Sequence, residues 1–341
     1  MFLIRNAEAR DFKALVRLAQ LLDSYNLPAD EKFLRELVRD SKASFLGRPI
    51  SDERKRFLFV AEDLTTQNVV GCSLIIARHG TPRLPHISFR VARERKRSRS
   101  LGRLIEHQTL TLSVNHTGFT EIGGLVVLAD YRGREEHVGR QLAYVRFAYM
   151  AWFPARFRGR ILVEYLPDLD PKKGNKFWEV LGARFTHLTY READRASMHD
   201  KEFILSLFPK EKIYCGLLPK SATEAIGVPG PGARGSVHVL EKIGFRYLDQ
   251  VDPFDGGPHY GALLERVSVF KKTRFFRYER NYHADVGASK QGLVIVVKRG
   301  AVRALVAEYA LEKDRILLAD EIRDVLKLKG GEQLSVTPLD A

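Results

Sequence analysis

The chain has 341 residues, which is enough for about two domains and for a hydrophobic core that needs no disulfide or metal to hold it together. Apolar residues make up 45% and charged residues 29%, a balance that excludes a disordered or fibrous protein. The 56 Lys and Arg outnumber the 42 Asp and Glu and give a net charge of +14, which favours a polyanionic partner such as nucleic acid, anionic lipid or a phosphorylated cofactor.

Neither a membrane segment nor a secretion signal is visible in the sequence. Residues 1–10 carry Arg5, Glu8 and Arg10 in place of the apolar core of a signal peptide. We therefore expect a cytoplasmic protein that does not bind membranes. Cys72 and Cys215 lie far apart, and neither has a Cys or His at metal-ligand spacing, so the sequence predicts no disulfide framework and no metal.

The spacing of apolar residues predicts alternating strands and helices in the first half of the chain. Strands are expected over 1–6, 56–62, 68–78, 110–114, 121–128 and 160–166, and long helices over 11–22 and 139–153. Another helix is expected to begin after Asp30, whose side chain suits an N-cap. Pro154 ends the helix over 139–153, and the basic segment 90–103 is expected to form a loop.

Two short helices are predicted in the second half, over 176–181 and 238–243, each ending at a glycine that precedes a strand. Their similar endings indicate either a weak internal repeat or the same helix-end chemistry used twice. After a boundary at 280–291, strands over 293–298, 302–309 and 333–336 and a helix over 318–328 predict a small β-rich C-terminal domain. The fold class is α/β (α+β), a mixed, mainly antiparallel sheet flanked by helices, with duplication left open.

Much of the positive charge lies in two segments. One runs from Arg90 to Arg103, and the other from Lys271 to Arg280, where Phe275, Phe276 and Tyr278 are interleaved. Three interpretations stay open: a solvated loop and strand edge, a phosphate-binding rim, or a nucleic-acid surface. No recognised nucleic-acid motif accompanies the aromatic residues, so nucleic acid is not the expected partner.

A strand, a glycine-containing loop and a helix start follow one another over 125–142. A helix N-terminus presents unpaired N–H groups and a positive dipole end, which suits a pyrophosphate. The alternative is an ordinary strand-to-helix turn. The candidate cofactor-binding residues are Val126, Val127, Arg134, His137, Val138, Gly139 and Arg140.

This loop resembles the coenzyme A loop of GNAT acyltransferases, R/Q-x-x-G-x-G/A, with Arg134 and Gly139 in register and His137 where the first glycine is expected. Nearly the whole chain resembles the arginine N-succinyltransferase family of GNAT-related enzymes. The segments that carry this resemblance are FLFVAED at 57–63, HTG at 116–118 with Glu121, FW at 177–178, IY at 213–214, LEKIGFRY at 240–247, FDGGP at 254–258 and NYH at 281–283.

The resemblance implies a GNAT-like fold and transfer of a succinyl group from succinyl-CoA to the α-amino group of arginine, the first step of a bacterial arginine-degrading pathway. It also implies an acyl-CoA co-substrate, an amino-acid acceptor, and a homo-oligomer or a hetero-oligomer with a homologous subunit. The expected domains are a GNAT-like acyl-CoA-binding domain at 1–190, a second GNAT-like or half-repeat region at 191–280, and the C-terminal domain at 281–341.

The sequence departs from the family at three places on the acceptor side. Tyr25 lies where the family has a glycine-rich stretch, Leu166 replaces an Arg, and Gly230 replaces a His. Loss of polar groups at such positions can change which amine or acyl group is accepted. A catalytically weak subunit that supports a homologous partner chain is therefore one alternative, and a basic nucleic-acid-binding protein is another.

The candidate catalytic residues are Glu121 and His116, as bases that free the amine lone pair, and Tyr214, as an acid for the departing thiolate. For each, a structural role stays open: a solvated strand end for Glu121, a turn residue bonded to its own backbone for His116, and a core tyrosine for Tyr214. An oxyanion would be stabilised by backbone N–H groups beside the strand over 121–128.

The acceptor is expected to contact residues from several parts of the chain. Asp255 can pair with a cationic substrate or simply form a β-turn, and Glu164 and Asp170 are weaker candidates of the same kind. The other candidate substrate-binding residues are Tyr25, Asn26, Tyr282 and His283. For Tyr282 and His283, which lie at the boundary with the C-terminal domain, the alternative is that they fix the packing of the two parts.

Overall fold

The structure is a computed structural model that describes residues 1–22, 26–168, 175–197, 200–278, 290–312 and 315–339. Its strands are β1 (Phe2–Asn6), β2 (Arg56–Asp63), β3 (Val69–His79), β4 (His86–Ser98), β5 (Arg103–Asn115), β6 (Phe119–Val127), β7 (Arg160–Glu164), β8 (Ile213–Tyr214), β9 (Arg246–Val251), β10 (Pro258–Leu263), β11 (Arg274–Tyr278), β12 (Lys290–Lys298), β13 (Ala301–Glu312), β14 (Arg315–Leu317) and β15 (Gln333–Pro338).

The helices include three long ones in the first half of the chain and shorter ones after them. They are α1 (Phe12–Leu22), α2 (Glu31–Phe45), α3 (Val138–Trp152), α4 (Lys176–Val180), α5 (Gly182–Thr186), α6 (Tyr190–Ser197), α7 (Glu202–Leu207), α8 (Lys220–Thr223), α9 (Arg234–Lys242), α10 (Ser268–Lys272) and α11 (Asp320–Leu326). No helix within the described residues is long and apolar enough to cross a membrane.

One compact unit consists of 1–78, 120–159 and 263–341. Its strands lie in the order β12-β15-β11-β14-β13-β1-β2-β3-β6, and β12 also pairs with β13, so the C-terminal strands close on themselves. On the N-terminal strands, α1 and α2 contribute Leu15, Leu18, Leu34 and Leu37 to a core shared with Leu58. The Asp30 side chain accepts a hydrogen bond from the N–H of Phe33, which confirms the predicted N-cap.

The other compact unit consists of 79–119 and 160–262, with strands in the order β7-β10-β9-β4-β5-β8. Trp178 of α4 stacks on Phe254 with ring centroids 5.0 Å apart and forms the centre of its core. Both units have mainly antiparallel strand pairs, which confirms the predicted fold class. Each unit combines separate parts of the chain, and the sequential division at 190 and 280 stays a prediction.

The basic segment 90–103 was expected to be a loop, and this expectation is wrong. β4 and β5 pair antiparallel along their whole length, from His86 opposite Asn115 to Ser98 opposite Arg103. The outer half of this hairpin is exposed to solvent. Its sequence therefore lacks the alternation of apolar and polar residues by which a half-buried strand is recognised. Arg93 and Arg95, for example, are both exposed and pair across the strands with Glu106.

The predicted strand after Gly182 is also wrong, because Gly182 begins α5. A Cβ added at Gly182 would lie 2.2 Å from the ring of Trp178. This ring cannot move aside easily, since it stacks on Phe254 and its Nε1 donates to the carbonyl of Leu188 at 2.9 Å.

We expect Gly182→Ala to lower the free energy of unfolding by about 1–3 kcal/mol in urea denaturation. Gly232→Ala, which meets no atom within 4 Å, is the control, and equal midpoints for the two variants would contradict the prediction.

Candidate functional site

β6 leads through a short loop to the N-terminus of α3, as the sequence predicts. β6 ends at Val127, a single helical turn covers Ala129–Tyr131, and α3 begins at Val138. Val126, Val127 and Val138 are buried and fix the two ends of the loop. Because the first N–H groups of a helix have no partner within it, this end of α3 suits a pyrophosphate.

His137 is the N-cap residue of α3 and has a left-handed backbone. Its φ is +49°, and its carbonyl accepts hydrogen bonds from the N–H groups of Arg140 at 2.8 Å and Gln141 at 3.1 Å. Its side chain is exposed and makes no capping hydrogen bond. A glycine adopts this backbone conformation at lower cost, which agrees with the glycine expected here from the family pattern.

Relief of that backbone strain gives a stability prediction. We expect His137→Gly to raise the free energy of unfolding by about 0.5–1 kcal/mol, the strain relieved less the added chain entropy of the unfolded state. His238→Gly, on the exposed face of α9, should instead lower the free energy of unfolding by about 0.5 kcal/mol. Urea denaturation of both variants checks this, and a loss of stability in His137→Gly would contradict it.

The two candidate arginines, Arg134 in the loop and Arg140 in α3, are placed differently. The Nε of Arg134 donates to the carbonyl of Asp130 at 2.7 Å, and its guanidinium lies 4.2 Å from the ring centroid of Tyr131. Arg140 and His137 line a cavity of about 550 Å³ at the start of α3, and Glu135 and Glu136 line it as well. Arg134 is thus held against the loop, and Arg140 faces this cavity.

Glu121 is buried on β6, so a solvated strand end is the wrong interpretation. Glu121 is only 1% exposed to solvent, and its Oε1 accepts a hydrogen bond from Nδ2 of Asn26 at 2.5 Å. Asn26 reaches this carboxylate across Gly123, where an added Cβ would lie 2.5 Å from the same Nδ2. The next residue, Gly124, has a φ of +56°, which takes the middle of β6 out of extended conformation.

Arg56, at the start of β2, acts electrostatically on Glu121 and was not singled out from the sequence. Burial lowers the pKa of its guanidinium, and the negative charges of Asp40 and Glu121 oppose that shift. Its Nε has no hydrogen-bond partner within the part of the chain that the structure describes. Arg56 is one of several basic residues around position 55, so its sequence context gives no signal of a special role.

His116 is exposed in the turn between β5 and β6. This turn is closed by Asn115, whose Oδ1 accepts hydrogen bonds from the N–H groups of Thr117 at 2.8 Å and Gly118 at 3.0 Å. His116 lies in the unit with 79–119 and Glu121 in the unit with 120–159. A shared catalytic role of the two residues stays a prediction.

Tyr214 lies on β8, beside the outer half of the β4–β5 hairpin. Its hydroxyl accepts a hydrogen bond from Nζ of Lys96 at 2.8 Å and donates to Oε2 of Glu94 at 3.0 Å. The tyrosine is half-buried, and it pairs through its backbone with Thr109. It is thus part of a charged surface network, and its role as a proton donor stays a prediction.

Asp255 is buried in the turn that precedes β10. Its Oδ1 accepts a hydrogen bond from the N–H of Gly257 at 2.7 Å, which is the turn geometry that the sequence left open. Burial, together with the nearby charge of Asp252, raises the pKa of the Asp255 carboxyl well above its usual range. The Asp255 carboxyl would have to lose its proton to form an ion pair with a cationic substrate. Such an ion pair stays a prediction.

Two of the departures from the family lie side by side. The N–H of Gly230 donates to the carbonyl of Leu166 at 2.9 Å, and a Cβ added at Gly230 would lie 2.7 Å from the carbonyl oxygen of Pro167. A histidine at position 230 therefore requires movement of the backbone at 166–168. The candidates Tyr25, Asp170, Tyr282 and His283 lie outside the described residues.

Three histidines and a glutamate come together in the unit with 79–119 and 160–262. Nε2 of His79 lies 3.1 Å from Nδ1 of His86, and Oε1 of Glu164 lies 3.3 Å from the same Nδ1. Nε2 of His259 lies 3.8 Å from Oε1 of Glu164, and burial lowers the pKa of His259 to about 3. Sequence analysis named only Glu164, because residues far apart in the chain show no recognisable spacing.

Comparison with known proteins gives the family. Residues 2–269 match the family described as "Arginine N-succinyltransferase beta subunit". The chain belongs to the arginine N-succinyltransferase family. It is 31% identical to the arginine N-succinyltransferase of Citrobacter koseri, with 100% of this chain and 98% of the relative covered. It is 32% identical to that of an Enterobacter species, with 99% of this chain and 98% of the relative covered.

A solved structure of the same kind agrees with this family. Subunit AI of the arginine/ornithine succinyltransferase from Pseudomonas aeruginosa matches with a TM-score of 0.80 and 27% identity, and the match covers 99% of both chains. The family resemblance stated from the sequence segments is therefore confirmed over the whole chain. The arginine N-succinyltransferase fold extends to the C-terminal strands that follow residue 269.

Proposed function

We propose that this chain transfers a succinyl group from succinyl-CoA to the α-amino group of arginine. The observation that carries the proposal is the match, over essentially the full length of both chains, to relatives named arginine N-succinyltransferase. The β6–loop–α3 arrangement supports the acyl-CoA half of the reaction. Degradation of arginine in a bacterial cytoplasm is the metabolic setting that fits this activity.

The reaction needs a neutral amine and no covalent enzyme intermediate. The amine nitrogen attacks the thioester carbonyl and forms the C–N bond of a tetrahedral oxyanion, and the C–S bond breaks when the carbonyl re-forms. The amine loses a proton, and the coenzyme A thiolate takes one up. Because an α-amino group has a pKa of about 7.7–8.0, a carboxylate acting directly or through one water is a sufficient base.

Glu121 is the base we propose. Its burial and its hydrogen bond from Asn26 hold the carboxylate in place, and this carboxylate is proposed to accept the proton from the amine. Gly124 interrupts the extended conformation of β6. We propose that backbone N–H groups of β6 at this point stabilise the oxyanion. His116 is an alternative base, and Tyr214 is the proposed acid for the thiolate.

The cofactor is proposed to lie with its pyrophosphate at the N-terminus of α3. Gly139 there has no side chain to exclude the ligand, Arg140 lines the cavity at this end of the helix, and Arg134 contributes positive charge from the preceding loop. Val126 and Val127 would align the pantetheine arm along β6. Asn26 and Asp255, together with Tyr25, Tyr282 and His283, are the proposed acceptor-side residues.

Release of free thiol from succinyl-CoA tests the activity, with arginine, ornithine and other amines as acceptors. Turnover with arginine supports the proposal, and turnover with only another amine assigns the departures at 166 and 230 to specificity. Binding of coenzyme A without turnover on any amine would overturn the catalytic proposal. Calorimetry with coenzyme A in the same preparation separates this result from an inactive sample.

A supporting subunit in a hetero-oligomer is the second candidate. The side-by-side departures at Leu166 and Gly230 favour it, because together they remove a guanidinium and an imidazole from one place. In this case the chain would bind coenzyme A, and a homologous partner chain would restore turnover. Co-expression with a homologous subunit and measurement of mass and activity distinguish it from an active homo-oligomer.

A further inference from the structure

The cluster of His79, His86, Glu164 and His259 forms where strand ends meet within one compact unit. His79 ends β3, His86 begins β4, and Glu164 ends β7. β10, which carries His259, lies next to β7 in the strand order. The side chains are thus held by regular strands, which gives the cluster a fixed geometry.

Three donor atoms of the cluster are spaced like the ligands of one metal ion. With metal–nitrogen and metal–oxygen distances of about 2.0–2.1 Å, ligand atoms of a tetrahedral zinc ion lie about 3.3 Å apart. The separations here are 3.1 Å for His79 Nε2 to His86 Nδ1, 3.3 Å for His86 Nδ1 to Glu164 Oε1, and 3.8 Å for His79 Nε2 to Glu164 Oε1. These atoms therefore form one face of a tetrahedron.

His259 gives an independent sign that a ligand belongs here. It is 0% exposed, and neither of its ring nitrogens has a hydrogen-bond partner among the described residues. Its Nε2 lies 3.8 Å from the same Glu164 oxygen, and Glu164, Asp252 and His259 also have donor atoms within 4.8 Å of one another. A buried imidazole without partners is costly unless something in the cluster binds it.

We propose that His79, His86 and Glu164 bind a divalent transition-metal ion of the zinc class, with His259 beside the carboxylate at 3.8 Å. Imidazole nitrogens with one carboxylate suit Zn²⁺ and Co²⁺, whereas Mg²⁺ and Ca²⁺ take oxygen donors. The side chains of His79 and Glu164 are 22% and 27% exposed, so an ion can enter. This exposure also leaves a coordination position for water or a small ligand. The site goes beyond the proposed acyl transfer, which needs no metal.

Cobalt titration tests the site directly. We expect the chelator-treated full chain to bind one equivalent of Co²⁺ with the visible bands of tetrahedral cobalt, and one equivalent of Zn²⁺ to displace it. Glu164→Gln and His86→Ala should each weaken binding at least about 100-fold. His238→Ala, an exposed histidine on α9, is the matched control and should bind like the wild type.

Thermal unfolding keeps the test valid if a buried variant folds poorly. One equivalent of Zn²⁺ should raise the Tm of the wild type and of His238→Ala, and not that of His79→Ala, whose side chain is partly exposed. Stoichiometric binding that survives in Glu164→Gln and His79→Ala would overturn the proposal, as would the absence of saturable binding in the wild type. Neither readout depends on acyl transfer, so failure of this proposal and failure of the proposed function are separate results.

Discussion

Replacement of Glu121 by glutamine is expected to lower kcat for succinyl transfer by about 10²–10⁴-fold, the usual contribution of a general base. Glutamine has the same shape and keeps a carbonyl oxygen that can accept the hydrogen bond from Asn26. It cannot take a proton from the amine at neutral pH. Steady-state kinetics with saturating succinyl-CoA and varied arginine should show the loss in kcat, with KM changed only a few-fold.

A matched control separates chemistry from folding. Glu31→Gln removes an exposed carboxylate on α2 that pairs with Arg35, and it should leave kcat unchanged. Thermal unfolding of both variants shows whether each is folded at the temperature of the assay. If Glu121→Gln retained more than about a third of wild-type kcat, Glu121 would not be the base, and His116→Ala would be the next variant to measure.

Replacement of Gly139 by tryptophan is expected to weaken coenzyme A binding at least about 100-fold. Gly139 is the second residue of α3, where the pyrophosphate is proposed to contact helix N–H groups. The nearest atom to an added Cβ is Cγ2 of Val127 at 3.9 Å, an ordinary contact, so the fold can accept a side chain here. A large ring would then fill the space that the ligand needs.

Gly139→Ala is the control for this effect. A single methyl group at this position should cost little affinity, and it should stabilise α3 by about 0.5–1 kcal/mol because alanine is the better helix former. Calorimetric titration with coenzyme A gives both dissociation constants. Equal affinities for Gly139→Trp and the wild type would place the pyrophosphate elsewhere.

Local sequence patterns predict most of the fold. The apolar stripe of α1 and the continuous apolar runs of α3, β2 and β3 reflect burial in the core, on one side for α1 and almost throughout for the other three. The N-cap at Asp30 is a local hydrogen bond that the residue type alone indicates. The hairpin of β4 and β5 has no such signal, because its outer half is solvated on both faces. The predicted strand after Gly182 is wrong for another reason, because the contact of Gly182 with Trp178 depends on tertiary packing.

Sequence analysis identifies candidate site residues singly, and the structure shows their surroundings. Glu121 was a candidate, yet its burial and its contact with Asn26, 95 residues earlier in the chain, depend on tertiary packing. The cluster of His79, His86 and His259 was missed, because its members come from separate strands. Local patterns detect elements and short motifs, whereas such clusters depend on which strand ends the sheet brings together.

The most direct test of the proposed reaction is an NMR experiment on the purified protein mixed with succinyl-CoA and with arginine that carries ¹⁵N at its α-amino group. We expect a new amide N–H signal from the labelled nitrogen, which grows in step with the release of free coenzyme A thiol. Thiol release without this signal would place the acyl group on another acceptor atom. No thiol release, together with no coenzyme A binding, would contradict the account.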